Sequence, residues 1–139
     1  VAFVLRQTAR YPVAALADGV AFRNSVLAGF AQPGWSAAAV VAWLNSPLIR
    51  WLHYHRHRDA RQPVMPQLKV GHLRALPMPE RGLATVERVL TDLTVRWHDE
   101  EDAAAMLHDV VAGLYGLDDD ERALVWTWHR GTQAKPRRR

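Results

Sequence analysis

The sequence predicts an α/β (α+β) fold in which a small antiparallel sheet packs with helices and is followed by a helical C-terminal subdomain. Three observations predict it. Apolar residues in the first thirty positions follow a β-type pattern, the period changes to three and four after Pro33-Gly34, and every segment after Pro79 keeps helical spacing. On this reading residues 1–79 are an α/β core, residues 80–131 a helical subdomain, and residues 132–139 a disordered basic tail. A chain of 139 residues that is 49% hydrophobic has ample material for a packed core.

The sheet comes first. Phe3 and Leu5 alternate with Val4 and Arg6, Tyr11-Pro12 interrupts, and Val13 to Leu16 is a second short apolar run. Asp18-Gly19 is a hairpin dipeptide, and Val20, Phe22, Val26 and Phe30 carry a third β-rich stretch, so the expectation is a three-stranded antiparallel meander. Ser36 then caps a helix whose Val40, Val41, Trp43 and Leu44 recur at helical spacing. Asn45-Ser46-Pro47 restarts the chain, with Ser46 as N-cap and Pro47 at the first helical position of a second helix carrying Leu48, Ile49, Trp51 and Leu52. That helix ends in the segment 53–61, since Pro63 and Pro66 forbid continuation. A short strand is expected over 67–70, then one turn through His72 to Leu76 and a stop at Pro77-Met78-Pro79.

Two apolar stripes follow. Leu83, Val86, Leu90, Leu93 and Trp97 make the first; Ala103, Met106, Leu107, Val110, Val111 and Leu114 make the second. The segment 113–116 breaks the helix, and Asp118 with Glu121 forms a capping box that opens a last helix running toward Gly131. Its acidic first turn complements the positive end of the helix dipole. Trp43, Trp51, Trp97, Trp126 and Trp128 fall at or beside stripe positions and are expected in the core.

The charge is distributed unevenly. The formal net charge is +4, yet residues 1–79 carry nine basic and two acidic residues, residues 99–121 carry nine acids with no Lys or Arg, and residues 122–139 carry six basic residues with no acid. Such polarity suits a partner that is itself a polyanion, with the acidic block turned away from it or paired with another protein surface. The absence of Cys excludes a disulfide framework, a thiolate metal site and a Cys nucleophile, and fits a cytoplasmic setting. Apolar runs are interrupted within about ten residues, short of the roughly twenty that span a bilayer, so no membrane association is expected. The chain starts at Val1 rather than Met and is expected to be a piece of a longer protein.

Enzyme motifs are scarce. There is no Gly-rich nucleotide or S-adenosylmethionine loop, no Gly-x-Ser-x-Gly elbow and no His-Glu-x-x-His. The densest unusual segment is 51–62, with His53, His55, His57, Arg56, Arg58, Arg61, Gln62, Tyr54 and Trp51. Arg binds phosphate or guanine edges bidentately, His and Gln bond base edges, and aromatic rings pack beneath them, which points to nucleic acid. A solvated helix end with cations near its C-terminus gives the same composition. His53 and His57 at i and i+4 can also begin a metal site, but with Asp59 as the nearest carboxylate the remaining ligands must come from distant segments. Arg6-Gln7 and Arg23-Asn24 form a second set that a sheet can gather on one face, or that are ordinary surface polars of a half-exposed sheet. His72, His98, His108 and His129 stand isolated and are assigned no role.

The ordered series Val4-Leu5-Arg6-Gln7-Thr8-Ala9, Phe22-Arg23-Asn24-Ser25, Trp43-Leu44-Asn45-Ser46-Pro47-Leu48, Pro66-Gln67-Leu68-Lys69-Val70 and Leu73-Arg74-Ala75-Leu76-Pro77-Met78-Pro79 resembles the TaqI-like specificity domain. That domain lies C-terminal to the catalytic domain of N6-adenine DNA methyltransferases and of fused restriction-modification enzymes. Leu114-Tyr115-Gly116-Leu117 with Asp120-Glu121-Arg122 resembles the end of such proteins, so the similarity spans about residues 4 to 122.

The resemblance implies a target-recognition module that docks on duplex DNA and presents the site to a methyltransferase domain N-terminal to it in the parent chain. That catalytic domain would hold S-adenosylmethionine and flip the adenine; no cofactor is expected in the present residues. The family's catalytic signature is Asp, Asn or Ser followed by Pro-Pro and an aromatic residue. Ser46-Pro47-Leu48-Ile49 lacks the second Pro and the aromatic, so it is a helix cap and methylation is not carried over to this chain. Sequence-specific DNA binding is therefore the expected function, with Arg56, Arg58 and Arg61 on phosphates or bases, His53, His55, His57 and Gln62 as base readers, and Arg6, Gln7, Arg23 and Asn24 as a second surface. Two rivals stand beside it: a protein-interaction module that docks an acidic partner through its helical half and basic surface, and an enzyme built on a His-based metal site.

Overall fold

The computed structural model describes residues 3–7, 9–17, 26–29, 36–57, 61, 66, 68–77, 88–92 and 101–133. Three strands, β1 (Phe3–Arg6), β2 (Ala14–Leu16) and β3 (Val26–Gly29), precede helices α1 (Ala37–Asn45), α2 (Pro47–Arg56), α3 (Val70–Arg74), α4 (Glu101–Leu114) and α5 (Asp119–Gln133). Residues 88–92 are also helical. The result is a small mixed α/β fold with a helical C-terminal part, as expected. Among the described residues no helix is long and apolar enough to cross a membrane.

The sheet is antiparallel but is not a meander. Its order is β2-β1-β3, with Leu5 opposite Ala14 on one side and opposite Leu27 on the other. The reason lies in the outer edge of β2, where the side chain of Asn45 bonds both the N–H and the carbonyl of Ala14 at 2.8 and 2.9 Å. With that edge occupied, β3 pairs along the free edge of β1 instead. Phe3 and Leu5 point into the core, while Arg6 is exposed, the alternation that a half-buried strand requires. Opposite Phe3 sits Gly29, where a Cβ would collide with the Phe3 ring.

The corner between α1 and α2 forms as its sequence predicts. Ser36 Oγ accepts from Ala39 N at 3.1 Å to cap α1, and Ser46 Oγ accepts from Ile49 N at 3.4 Å to cap α2 with Pro47 in its first turn. Ser46 Oγ also donates to the Trp43 carbonyl at 2.7 Å, joining the end of one helix to the start of the next. Residues 41–50 are all buried, which makes this corner the centre of the molecule.

The strand expected over 67–70 does not form. Leu68 N donates to the Gln7 carbonyl at 2.8 Å, but Val70 already begins α3, so the described part of this segment makes one sheet-like bond and then turns helical. The stop before Pro77-Met78-Pro79 holds, with α3 ending at Arg74.

In the C-terminal part Leu90, Ala103, Leu107 and Val111 are buried, and Met106, expected on the same stripe, is 54% exposed. Leu83, Val86, Leu93 and Trp97 lie outside the described residues. The break after Leu114 is a Schellman turn: Leu117 N bonds Ala112 O at 3.1 Å, Gly116 N bonds Gly113 O at 3.2 Å, and Gly116 takes the left-handed φ of 68°. The capping box forms reciprocally, with Glu121 N donating to Asp118 Oδ1 at 2.8 Å and Asp118 N donating to Glu121 Oε1 at 3.0 Å. Helix α5 runs on to Gln133, so Thr132 and Gln133 belong to it rather than to a disordered tail; the basic residues 135–139 lie outside the described residues.

One buried cluster unites both parts, containing Phe3 and Leu5 of β1, Trp43 and Ile49 of α1 and α2, Leu107 and Val111 of α4, and Val125 of α5. Trp43 alone among the five tryptophans expected in the core is described as fully buried. Trp51, Trp126 and Trp128 are half-buried because each shares its face with another ring near the surface, and Trp97 lies outside the described residues.

Candidate nucleic-acid interface

Helix α2 carries its cations in the last turn, where Arg56 and the histidines face the negative end of the helix dipole. Arg56 is exposed, and its Nη1 donates to the Ala75 carbonyl at 3.4 Å, across to the end of α3. Arg61 is exposed, and its Nη1 donates to the His55 carbonyl at 3.2 Å, at the C-terminal turn of α2. His55 is also exposed, its Nδ1 2.8 Å from the Trp51 carbonyl and its ring 4.7 Å from that of Trp51. Arg58 and Gln62 lie outside the described residues.

His53 and His57 behave differently from a pair of surface base readers. His53 is 0% exposed, with neither ring nitrogen bonded, and cannot reach a DNA groove from this position. The i, i+4 spacing that put His53 beside His57 also turns His53 toward the core, since Ile49 and His53 share the buried side of α2. Burial, then the neighbouring His57 and His72, lower its pKa to about 4. His57 is half-buried and stacks flat on His72 at 3.7 Å and 5° between planes. His72 is therefore not isolated. Among the described residues no group of three or more His, Asp or Glu is arranged to hold a metal ion.

Of the second set, Arg6 is exposed at the end of β1 and Gln7 is half-buried, its carbonyl receiving the bond from Leu68. Arg23 and Asn24 lie outside the described residues. The segment 68–76 connects the two sets: it starts at the bond to Gln7, and its helix α3 meets the end of α2 through the His57–His72 stack and the Arg56–Ala75 bond. Lys69 and Arg74 stand exposed on it. Sequence reasoning used these two residues only as part of a resemblance, although their positive charge beside a Pro-terminated turn was a usable signal. Arg6, Arg10, Arg56, Arg61 and Arg74 are all exposed, and none pairs with a carboxylate among the described residues.

Arg50 belongs to the basic half by count and not by position. It is 5% exposed, with Nε donating to the Pro12 carbonyl at 2.8 Å, Nη2 donating to Asn45 Oδ1 at 3.1 Å, and its guanidinium 4.8 Å above the Tyr11 ring. Burial lowers its pKa to about 10, partly offset by Tyr11, so it remains a cation near neutral pH. A second buried histidine pair lies nearby. His108 Nε2 is 2.9 Å from the Arg122 carbonyl, and the Trp126 ring lies between those of His108 and His129 at 5.4 and 5.3 Å. Burial, followed by Arg50 and His108, lowers the His129 pKa to about 4, and burial is also the main cause that lowers His108.

On the helical side, Trp51, His55, Asp120, Ala123, Leu124, Thr127 and Trp128 line an open groove of about 520 Å³ between α2 and α5. Leu124 is 60% exposed there. Arg122, next to Ala123 in the chain, is held by the Leu117 carbonyl at 3.0 Å and by an ion pair with Asp109.

Comparison of the chain with protein-family models, with curated proteins and with solved structures returned no match.

Proposed function

We propose that the chain binds duplex DNA sequence-specifically, as the target-recognition part of an adenine-specific DNA methyltransferase or restriction-modification enzyme. The observation that carries this reading is the chain of exposed cations, Arg6, Lys69, Arg74, Arg56 and Arg61, on three segments tied together by the Leu68–Gln7 bond and the contacts between α2 and α3. Phosphate neutralisation by these side chains supplies most of the affinity. His55, and the Gln62 of the sequence reading, are the candidates for groove contacts, each good bidentate pair adding about 1–3 kcal/mol of discrimination. The methyl transfer itself, with its S-adenosylmethionine, belongs to the catalytic domain that the resemblance places N-terminal to these residues.

Titration of a labelled duplex against salt tests it. Binding should weaken linearly on a log-log plot, and Arg56→Ala or Arg61→Ala should each lower affinity and reduce the slope by about one. Unchanged affinity and slope in both variants would remove these residues from the interface.

A second reading has its own support. Leu124 and the two tryptophans of the open groove, with Met106 exposed on α4, are features of a protein-docking surface. On that reading Leu124→Glu abolishes partner binding, while Arg56→Ala does not affect it.

A further inference from the structure

We propose that the groove between α2 and α5 is a binding site for a small organic cation that carries a methylated ammonium group. The inference does not rest on DNA binding, and none of the Lys or Arg side chains assigned to DNA borders the groove. Sequence spacing builds it. On α5, Asp120, Ala123, Leu124, Thr127 and Trp128 recur at intervals of three and four, one stripe about 12 Å long. On α2, Trp51 and His55 stand one turn apart, and the open volume of about 520 Å³ lies between the two stripes.

The aromatic side of the groove is held in place by its own neighbours. Nδ1 of His55 is 2.8 Å from the Trp51 carbonyl, which only accepts, so this nitrogen carries the hydrogen and the ring is pinned to its own helix. From there the imidazole lies 4.7 Å from the Trp51 ring and 5.7 Å from the Trp128 ring, at 61° to the latter, and joins the two indoles into one wall. Tyr54 at 5.5 Å and Tyr11 at 6.0 Å brace Trp128 in turn. Such bracing leaves little to be ordered when a ligand arrives.

Charge selects the occupant. Indole rings attract cations more strongly than any other side-chain ring. Apart from His55, Asp120 is the one ionisable side chain among the described residues that border the groove, and Asp119 and Glu121 in the same turn add to its negative potential. Those carboxylates repel a nucleotide or an acidic peptide. A neutral apolar occupant offers Asp120 nothing in place of the water it displaces. A primary ammonium is strongly hydrated, whereas a methylated one sheds water readily and sets its methyl groups against Ala123 and Leu124, the latter 60% exposed.

Titration of the full chain with choline, a trimethylammonium alcohol, tests the site at constant ionic strength through the indole N–H signals in NMR spectra. Those of Trp51 and Trp128 should shift saturably below about 50 mM, while that of Trp43, buried and bonded to Tyr115, stays in place. Two relatives of choline separate charge from shape: the alcohol in which carbon replaces the nitrogen, and ethanolamine, which keeps the charge without the methyl groups. Each should bind at least about fivefold more weakly. Asp120→Asn should weaken choline binding by about threefold or more and leave the carbon analogue unaffected. Trp51→Leu should abolish the saturable shift; should that variant fail to fold, the comparison of choline with its carbon analogue in the wild type decides. No saturable shift, or an unchanged choline affinity in Asp120→Asn, would overturn the proposal. Equal binding of the carbon analogue would overturn it too, and would make the groove an apolar docking face instead.

Discussion

The side-chain amide of Asn45 bonds both backbone groups of Ala14, accepting from its N–H at 2.8 Å and donating to its carbonyl at 2.9 Å. A residue at the C-terminus of α1 thereby stands in for a fourth strand along the edge of β2. The same Oδ1 accepts from Arg50, so one buried amide joins sheet, helix corner and buried cation. Replacing it leaves three buried partners unsatisfied, each costing about 1–3 kcal/mol when unrelieved. Asn45→Ala should therefore destabilise the chain by about 3 kcal/mol, read from urea unfolding with the denaturant slope unchanged.

Phe3 and Gly29 make a second pairwise prediction. Gly29→Ala inserts a methyl group into the space of the Phe3 ring, which is itself buried. The expected cost is about 1–3 kcal/mol. In a Phe3→Leu background the added cost should shrink, and a double-mutant cycle measures the coupling. Simple additivity would mean the ring does not lie where the structure puts it.

Acid should weaken the fold before most carboxylates titrate. His53 and His129 have folded-state pKa values lowered to about 4 from an ordinary 6.5, so between those values the unfolded chain binds more protons than the folded one. Their contribution to stability is complete above about pH 6.5 and declines as the pH falls toward about 4. Urea midpoints should drop across that window, and His129→Phe should make the drop shallower. A flat profile would show that neither ring is held neutral.

Tyr115 joins three segments through its hydroxyl, which accepts from Trp43 Nε1 at 3.0 Å and donates to the Pro77 carbonyl at 2.6 Å. Tyr115→Phe should cost about 1–2 kcal/mol by leaving the indole N–H without this partner. Thermal unfolding of the variant, monitored by near-UV circular dichroism, is the check.

Arg74 and Arg122 separate the proposed DNA surface from ordinary surface charge. Arg74→Ala should weaken DNA binding and lower the salt slope by about one. Arg122→Ala removes a cation already neutralised by Asp109, so it should cost stability and leave the slope unchanged. Equal effects of the two on DNA binding would argue for attraction by net charge alone.

Local signals were legible wherever the interaction closes within a few residues. Ser36, Ser46 with Pro47, the Asp118–Glu121 box and the Gly116 turn all form as read, because a cap or a left-handed glycine is decided within one helical turn. Strand order was not legible. Asp18-Gly19 suggested a β2–β3 hairpin, whereas the edge of β2 is filled by Asn45, thirty-one residues from Ala14. For the candidate site, the exposed cations Arg6, Arg56 and Arg61 could be picked out by composition, but the inward turn of His53 and Arg50 could not, since both sit in the same basic run.

What the chain determined by itself is its set of caps, stops and periods, and the separation of basic and acidic segments along its length. Tertiary packing decided which edge of β1 receives β3, which histidines are buried, and which cations reach solvent. The physical reason is range: a cap or turn gains its free energy from neighbours in sequence, whereas burial and edge pairing are gained only when distant segments displace water from one another.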